Sequence, residues 1–164
     1  MMMAACIFTA QTFTTQTAKA REVVNVDQSA EVGTVIVRLN ERKLYMITSQ
    51  GKALRYSVAV GKSGKQWLGL AYIDGKHINP DWSPPAEVKR DIPSLPHVIR
   101  GGSPKNPMGV RAMTLNRGEY AIHGTNKPES IGKAVSYGCI RMHNHDIVDL
   151  FERVNVGTKL IVVQ

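Results

Sequence analysis

Two stretches near the start of the chain show apolar residues at alternate positions, and a third lies between them. They are TVIVRLN at 34–40 and ALRYSVAV at 53–60, with KLYMITSQGK at 43–52 in between. A period of two places alternate side chains on opposite faces of a strand, so Leu54, Tyr56, Val58 and Val60 share one face. Gly51 supplies a turn before the last of these strands. The pattern predicts an antiparallel meander, so the fold must be built around a sheet.

Further strand patterns follow along the chain. VRAMTLNRGEYAIHG, at 110–124, is typical of two strands joined around residues 116–118, and TKLIVV at 158–163 is typical of a final buried strand. Asp74-Gly75 is a dipeptide favoured in hairpin turns and predicts one within AYIDGKHIN. The proline- and glycine-rich stretches between these strands are typical of loops.

One long helix is predicted late in the chain, in NHDIVDLFERVNVG at 144–157. Its apolar residues recur at helical spacing, Asn144 is placed to cap the first turn, and Gly157 follows the end. We therefore expect a single mainly-β domain, with one or two short helices and one longer late helix.

Composition and charge exclude some functions and favour others. No apolar run approaches the roughly 18 residues of a transmembrane helix, so we expect no transmembrane segment. The net charge of +8 favours an anionic partner: nucleic acid, a membrane surface or an acidic polymer. Basic residues are spread along the chain and aromatic residues make up only 6% of it, so we expect no nucleic-acid platform.

Residues 1–20 differ from the rest of the chain. They contain no acidic residue and end in Ala18-Lys19-Ala20, a small-x-small pattern typical of signal-peptide cleavage. We predict a signal peptide at 1–20, a lead-in at 21–33 and one domain at 34–164. A disordered, Thr- and Gln-rich cytosolic tail is the alternative. Cleavage would remove Cys6 and leave Cys139 as the single cysteine of an exported protein.

Cys139 has four possible roles: packed core residue, metal ligand, half of a disulfide, or nucleophile. It follows Gly138 in AVSYGCIRMHNHD, and the pattern places it in the turn just before the late helix. A helix N-terminus and a neighbouring imidazole both favour the thiolate, and His123 at a predicted strand end is a candidate base. Backbone N–H groups beside Gly138 can hold an oxyanion. Together these residues are suited to acyl transfer.

A metal site is the competing interpretation of the same residues. Cys139, His143 and His145 have a Cys-x-x-x-His-x-His spacing. Structural zinc sites use paired cysteine or histidine hooks, and catalytic zinc needs three converging ligands. We therefore predict no metal, and a solvent-facing His145 at the start of the helix.

The run from HGTN at 123–126 to SYGCIR at 136–141 resembles the signature of the L,D-transpeptidase catalytic domain of bacterial cell-wall enzymes. The resemblance covers roughly residues 34–164 and implies a β-sandwich-like fold. It also implies these roles: Cys139 as nucleophile, His123 as base and then acid, the Gly124 carbonyl orienting the imidazole, the Gly138 and Cys139 amides as oxyanion hole, and Arg141, Ser136 and Tyr137 as substrate-binding residues.

The implied function is a secreted, periplasmic or wall-associated enzyme acting on peptidoglycan stem peptides, without metal or organic cofactor. Cys139 would form a thioester with the donor's third residue, and an amine of an acceptor stem peptide would resolve it. Resolution by water, giving an L,D-carboxypeptidase or endopeptidase, and a non-catalytic wall-binding module are the alternatives. For Arg141, the alternative role is a salt bridge to an acid such as Asp146. The oligomeric state stays open.

Overall fold

The computed structural model describes residues 21–164 and shows a mainly-β domain, as predicted. Its elements in chain order are β1 Arg21–Asn25, β2 Val35–Arg38, β3 Lys43–Ser49, β4 Lys52–Gly61, β5 Gly69–Ile78, α1 Ala86–Asp91, β6 Arg111–Leu115, β7 Ala121–His123, a 3₁₀ turn Pro128–Ser130, β8 Ala134–Ser136, β9 Ile140–Met142, α2 Asn144–Arg153 and β10 Lys159–Val163. Residues 1–20, with the predicted signal peptide and Cys6, lie outside the described residues.

The strands form one sheet that closes on itself. Their order is β1-β4-β3-β2-β10-β5-β6-β7-β9, and β9 also pairs antiparallel with β4, which completes a barrel-like ring. The predicted meander is present as β2, β3 and β4, paired antiparallel in sequence order. Inside the ring the apolar side chains form one core, which includes Tyr56, Val58 and Val60 as the alternation predicts.

The predicted hairpin turn at Asp74-Gly75 is wrong, because β5 runs through both residues without reversing. The register against β6 shifts between Ile73 and Gly75. The Asp74 carboxylate accepts a hydrogen bond of 2.5 Å from the Thr114 hydroxyl on β6. Asp-Gly therefore marks an irregularity in the pairing of one strand, a position where glycine is common.

Helix α2 packs on the ring with Ile147, Leu150 and Phe151 buried. Lys76 on β5 donates hydrogen bonds of 2.6 and 2.7 Å to the carbonyls of Phe151 and Val154 at the end of the helix. A lysine there neutralises the partial negative charge of the last carbonyls. The predicted cap at Asn144 is wrong: the N-cap position is His143, and Asn144 is the first helical residue. No helix among residues 21–164 is long and apolar enough to cross a membrane.

Asp146 in the first turn of α2 is a buried acid that has no hydrogen-bond partner within residues 21–164 for either carboxylate oxygen. The imidazole of His145 lies close to it, with Nε2 3.4 Å from Oδ1. Burial raises the pKa of Asp146 to about 6. Above that pH the fold must hold an ionised, buried carboxylate, which destabilises it relative to the unfolded chain.

Asp146→Asn should therefore raise the free energy of unfolding at pH 7.5 by about 1–2 kcal/mol. The gain should vanish near pH 4, where the acid is already neutral in the folded chain. Denaturant unfolding at both pH values measures this, with Glu152→Gln on the exposed side of α2 as control. A loss of stability at pH 7.5 would show instead that the helix N-terminus needs the charge.

Candidate active site

The parallel pairing of β7 with β9 brings the two predicted catalytic residues to one surface. Ile122 pairs with Ile140 and His123 with Arg141. Both isoleucines are buried in the core. Because alternate residues of a strand point to opposite faces, Arg141 lies on the same face as His123, and Cys139 directly precedes β9. The imidazole and the guanidinium thus lie on the face opposite the two isoleucines, and the charge of Arg141 acts on both His123 and the Cys139 thiol.

His123 is held in one tautomer by the backbone. Its side chain is 4% exposed, and Nδ1 lies 2.7 Å from the Gly124 carbonyl oxygen. A carbonyl oxygen only accepts hydrogen bonds, so Nδ1 carries the proton and Nε2 of the neutral ring is an acceptor. Burial, and to a lesser extent the charge of Arg141, lowers the pKa of His123 to about 4. Hydrogen bonds to the Gly124 and Pro107 carbonyls act in the opposite direction and raise that pKa. The imidazole is therefore neutral near pH 7, as a proton acceptor must be.

The Cys139 thiol points toward the backbone that precedes His123. Its sulfur lies 3.9 Å from the Glu119 carbonyl oxygen, and the Ala121 N–H donates to it. Burial raises the pKa of Cys139, while the Ala121 N–H and the charge of Arg141 act in the opposite direction. At neutral pH the thiol and the imidazole are thus both uncharged in the resting protein. Cys139 is a free cysteine, not half of a disulfide with a described residue.

The prediction that a helix N-terminus activates Cys139 is wrong. The whole of β9 lies between the cysteine and α2, which begins only at Asn144. The effect of a helix dipole falls off within its first turn, so it does not reach the sulfur. The donor that favours the thiolate is instead the Ala121 N–H at the start of β7.

The turn before Cys139 requires glycine at position 138. Gly138 has φ +121°, and a Cβ built there would lie 2.4 Å from the ring of Tyr120. Tyr120 stacks on Trp67, with ring centroids 5.5 Å apart, and Trp67 Nε1 donates a 3.0 Å hydrogen bond to the Gly138 carbonyl. These two aromatic rings fix the backbone beside the thiol.

Ser136 shapes the same turn. Its hydroxyl accepts the Gly138 N–H at 3.1 Å and donates to the Cys139 carbonyl at 2.6 Å, and the residue is 1% exposed. These two hydrogen bonds hold the turn that carries the nucleophile. The Ser136 hydroxyl is buried beneath that turn and is not accessible to a substrate. The Gly138 N–H is likewise engaged, which leaves the Cys139 N–H as the candidate donor to an oxyanion.

Asn144 has a role that the sequence pattern misassigned. Its side chain forms a two-point contact with Thr125: Oδ1 accepts the Thr125 N–H and Nδ2 donates to the Thr125 carbonyl, both at 3.0 Å. A Cβ on Gly124 would lie 2.3 Å from Asn144 Oδ1. The asparagine therefore pins the loop that carries the Gly124 carbonyl, and so positions the imidazole of His123.

Arg141 is half-buried, and its Nε is buried without a hydrogen-bond partner among the described residues. Burial lowers the pKa of its guanidinium, which stays charged near neutral pH. The alternative salt bridge to Asp146 is absent from the described part of the chain. The charge of Arg141 is thus left to act on His123, on Cys139 and on whatever binds beside them.

Two cavities meet at this site, with Tyr137 and Val88 lining both. The larger, of 670 Å³, is lined by Cys139, Trp67, Tyr120 and neighbouring polar residues, and the smaller, of 230 Å³, by Arg141. The Tyr137 hydroxyl donates a 2.7 Å hydrogen bond to Asp91 at the end of α1, and Lys62 lies 3.9 Å above the tyrosine ring. Tyr137 is therefore a wall between the two cavities.

No group of three or more His, Cys, Asp or Glu side chains in residues 21–164 is arranged to hold a metal ion. The histidines of the considered zinc spacing, His143 and His145, stack on each other with ring centroids 5.3 Å apart. His145 is exposed, as predicted.

Comparison with known proteins places the chain in a family. Residues 33–162 match the model of the YkuD family, described as the L,D-transpeptidase catalytic domain. "Probable L,D-transpeptidase YbiS" of Escherichia coli strain K12 is 34% identical over 156 residues, which cover 87% of this chain and 50% of YbiS. "Putative L,D-transpeptidase YqjB" of Bacillus subtilis strain 168 is 37% identical over 134 residues, covering 78% of this chain and 69% of YqjB.

Solved structures with low sequence identity share the fold. The catalytic domain of the Enterococcus faecium L,D-transpeptidase superimposes with a TM-score of 0.62 at 19% identity, covering 82% of this chain and 99% of that one. An L,D-transpeptidase from Mycobacterium smegmatis gives a TM-score of 0.62 at 20% identity, over 80% of this chain and 58% of the other. The chain spans about half the length of the Escherichia coli relatives ErfK/SrfK and YbiS. Its sequence and fold together show that it belongs to the L,D-transpeptidase catalytic domain family.

Proposed function

We propose that this protein is an exported cysteine acyltransferase that cross-links or modifies peptidoglycan through a thioester on Cys139. In this proposal residues 1–20 are a signal peptide, 21–33 a lead-in and 34–164 the catalytic domain. The protein would act in the periplasm or at the cell wall. N-terminal sequencing of the exported protein would then show a start near Arg21.

The observation that carries the proposal is the relation of His123 to Cys139. The Gly124 carbonyl fixes Nδ1 as the protonated nitrogen, and the β7–β9 pairing aligns His123 with Arg141, two residues after Cys139. Nucleophilic acyl transfer requires a neutral base and a nucleophile, here at the end of β7 and directly before the adjacent strand β9. A binding module would have no need of that tautomer.

In the first half-reaction, Cys139 Sγ attacks the carbonyl of the donor's third residue while His123 Nε2 takes the thiol proton. The tetrahedral oxyanion is held by the Cys139 N–H, with the Gly138 N–H joining if it leaves Ser136. The same imidazole then protonates the amine of the terminal D-amino acid as it departs. A thioester is left on the enzyme.

In the second half-reaction, an acceptor amine attacks the thioester and gives a proton to His123. The C–S bond then breaks, and the imidazolium returns that proton to the Cys139 thiolate, which restores the thiol. Arg141 binds an anionic group of the substrate. The Tyr137 side chain limits the size of the substrate groups that can bind beside Arg141. Protein groups carry each step, so the proposal requires no metal or organic cofactor.

The test is incubation of the purified protein with tetrapeptide muropeptides, followed by mass spectrometry of the products. We expect cross-linked dimers whose mass equals two monomers less one terminal D-amino acid. Monomers that only lose the terminal residue would show that water is the acceptor, and hence a carboxypeptidase. Unchanged but bound muropeptides would indicate a wall-binding module and contradict the proposed acyl transfer.

A further inference from the structure

The connection between β6 and β7 places an acidic residue beside the larger cavity. Asn116 at its start is fixed to β5, because its N–H donates to the Tyr72 carbonyl at 3.0 Å and its Oδ1 accepts the Tyr72 N–H at 2.8 Å. Gly118 has φ +61°, the left-handed conformation of a tight turn. Glu119 follows, with its carbonyl oxygen 3.9 Å from the Cys139 sulfur, and both residues line the 670 Å³ cavity. An ordered turn thus holds an exposed acid beside the nucleophile.

The charge of Glu119 is not neutralised by the described part of the protein. Two acids line the larger cavity, and the other, Glu87, is paired with Lys65. Glu119 takes part in no ion pair among residues 21–164. Arg117, two residues earlier, lies over the ring of Trp67, with its guanidinium carbon 5.0 Å from the ring centroid. The cavity therefore offers a free carboxylate close to the thiol, and such a group attracts a cationic ligand.

This carboxylate opposes the first half-reaction and favours the second. Burial is the largest cause that raises the pKa of Cys139, and the charge of Glu119 acts in the same direction. A negative charge near the sulfur disfavours the thiolate, which is the attacking species when the thioester forms. In the second half-reaction the sulfur is acylated and uncharged, whereas the attacking amine nitrogen becomes positive as its bond to carbon forms. A carboxylate beside it then stabilises that developing charge.

We propose that Glu119 determines the choice of acceptor, by attracting the ammonium form of an amine and stabilising the positive charge that develops on nitrogen during attack. The inference rests on the proposed function, because it concerns the resolution of the Cys139 thioester. The ammonium first releases one proton to solvent. The neutral amine then attacks, the C–N bond forms, the C–S bond breaks, and a second proton passes from nitrogen through His123 to the thiolate. Water carries no charge for the carboxylate to attract, so Glu119 favours transfer to an amine over hydrolysis.

The test measures how the thioester is divided between an amine and water. The full chain is incubated with a tetrapeptide donor and a stem tripeptide whose side-chain amine is the acceptor, and mass spectrometry gives the ratio of transfer product to hydrolysis product. Glu119→Gln should lower this ratio roughly 10-fold at low salt, and less at high salt, where exposed charges are screened. Hydroxylamine, a nucleophile that is uncharged at neutral pH, should accept the acyl group equally well from both proteins.

The matched control is Glu129→Gln, which removes the same charge from an exposed glutamate that lines neither cavity. It should leave the ratio unchanged. Alkylation of Cys139 by iodoacetamide distinguishes recognition from a structural role: Glu119→Gln should react at least as fast as the unchanged protein, because loss of the carboxylate favours the thiolate. An unchanged ratio in Glu119→Gln, or a lower ratio accompanied by slower alkylation and slower transfer to hydroxylamine, would overturn the proposal.

Acceptor binding to the full chain carrying Cys139→Ala, which cannot form the thioester, separates this inference from the proposed function. By calorimetry the tripeptide with a free amine should bind roughly fivefold more tightly than its N-acetylated form, and adding Glu119→Gln should remove the difference. Equal binding of the two forms would overturn the ammonium site. A thioester resolved without regard to Glu119 rejects the proposed role and leaves acyl transfer standing. Preferential binding of the free amine, without any thioester when Cys139 is intact, rejects acyl transfer and supports the ammonium site.

Discussion

Cys139→Ser should lower the turnover of a stem-peptide donor by roughly 10³-fold or more while the fold is retained. Serine is close to cysteine in shape, so the contacts to the Glu119 carbonyl and the Ala121 N–H can persist. A hydroxyl is a far weaker nucleophile, however, and His123 with a pKa of about 4 is too weak a base to compensate. Product formation by liquid chromatography, with circular dichroism for the fold, measures the effect.

A covalent probe tests the same residue without a substrate. Incubation with a carbapenem should add one molecule, mapped by peptide mass spectrometry to the segment that contains Cys139. Cys6→Ser is the matched control, since it removes the other cysteine of the chain and should leave the adduct intact. An adduct that survives Cys139→Ser, or is lost in Cys6→Ser, would move the nucleophile elsewhere.

His123→Ala should lower turnover by roughly 10²–10⁴-fold, the usual contribution of a positioned general base. Because the resting thiol is neutral, loss of the imidazole leaves no group to take its proton during attack. His97→Ala is the matched control, as His97 is exposed and lines neither cavity. A folded His123→Ala protein with unchanged turnover would remove the histidine from the mechanism.

The pH profile gives a second check on His123. Its pKa is lowered from the usual 6.5 to about 4, so the base is neutral above that pH and is lost as the pH falls through it. We expect kcat/KM to stay nearly level from pH 7 down to about 5 and to decline only near pH 4. A decline centred near pH 6.5 would show that the imidazole behaves as an exposed histidine.

The elements that the sequence predicted correctly are those in which local pattern and tertiary environment agree. In the meander of β2, β3 and β4, apolar residues at alternate positions face one core. The two-residue period of apolar residues is therefore enough to identify these strands. The pattern at Asp74-Gly75 was misleading because β5 pairs with β10 up to Tyr72 and with β6 from Ile73 onward, so pairing continues past the dipeptide. Neighbouring strands hold that segment extended, and turn propensity does not show which neighbours a strand will have.

The candidate site was predictable where it depends on residue type and unpredictable where it depends on contacts. Cys139 and His123 have chemistry that few side chains share, and the family signature gave their pairing. Asn144 and Ser136 are common polar residues, and only the folded chain shows that one pins the loop after His123 and the other the turn before Cys139. Helix α1, which holds the Tyr137 hydroxyl through Asp91, has only six residues and too few apolar positions for a periodic signal.

The position of β10 has a consequence for biosynthesis. This strand comes from residues 159–163 yet lies between β2 and β5, parallel to β2 near the other end of the chain. Until those residues leave the ribosome, β2 and β5 each present an unpaired edge, and the ring stays open. Cys139 is therefore synthesised before the barrel that supports it can close, so the turn that carries the thiol gains its full support only after the last strand has been made.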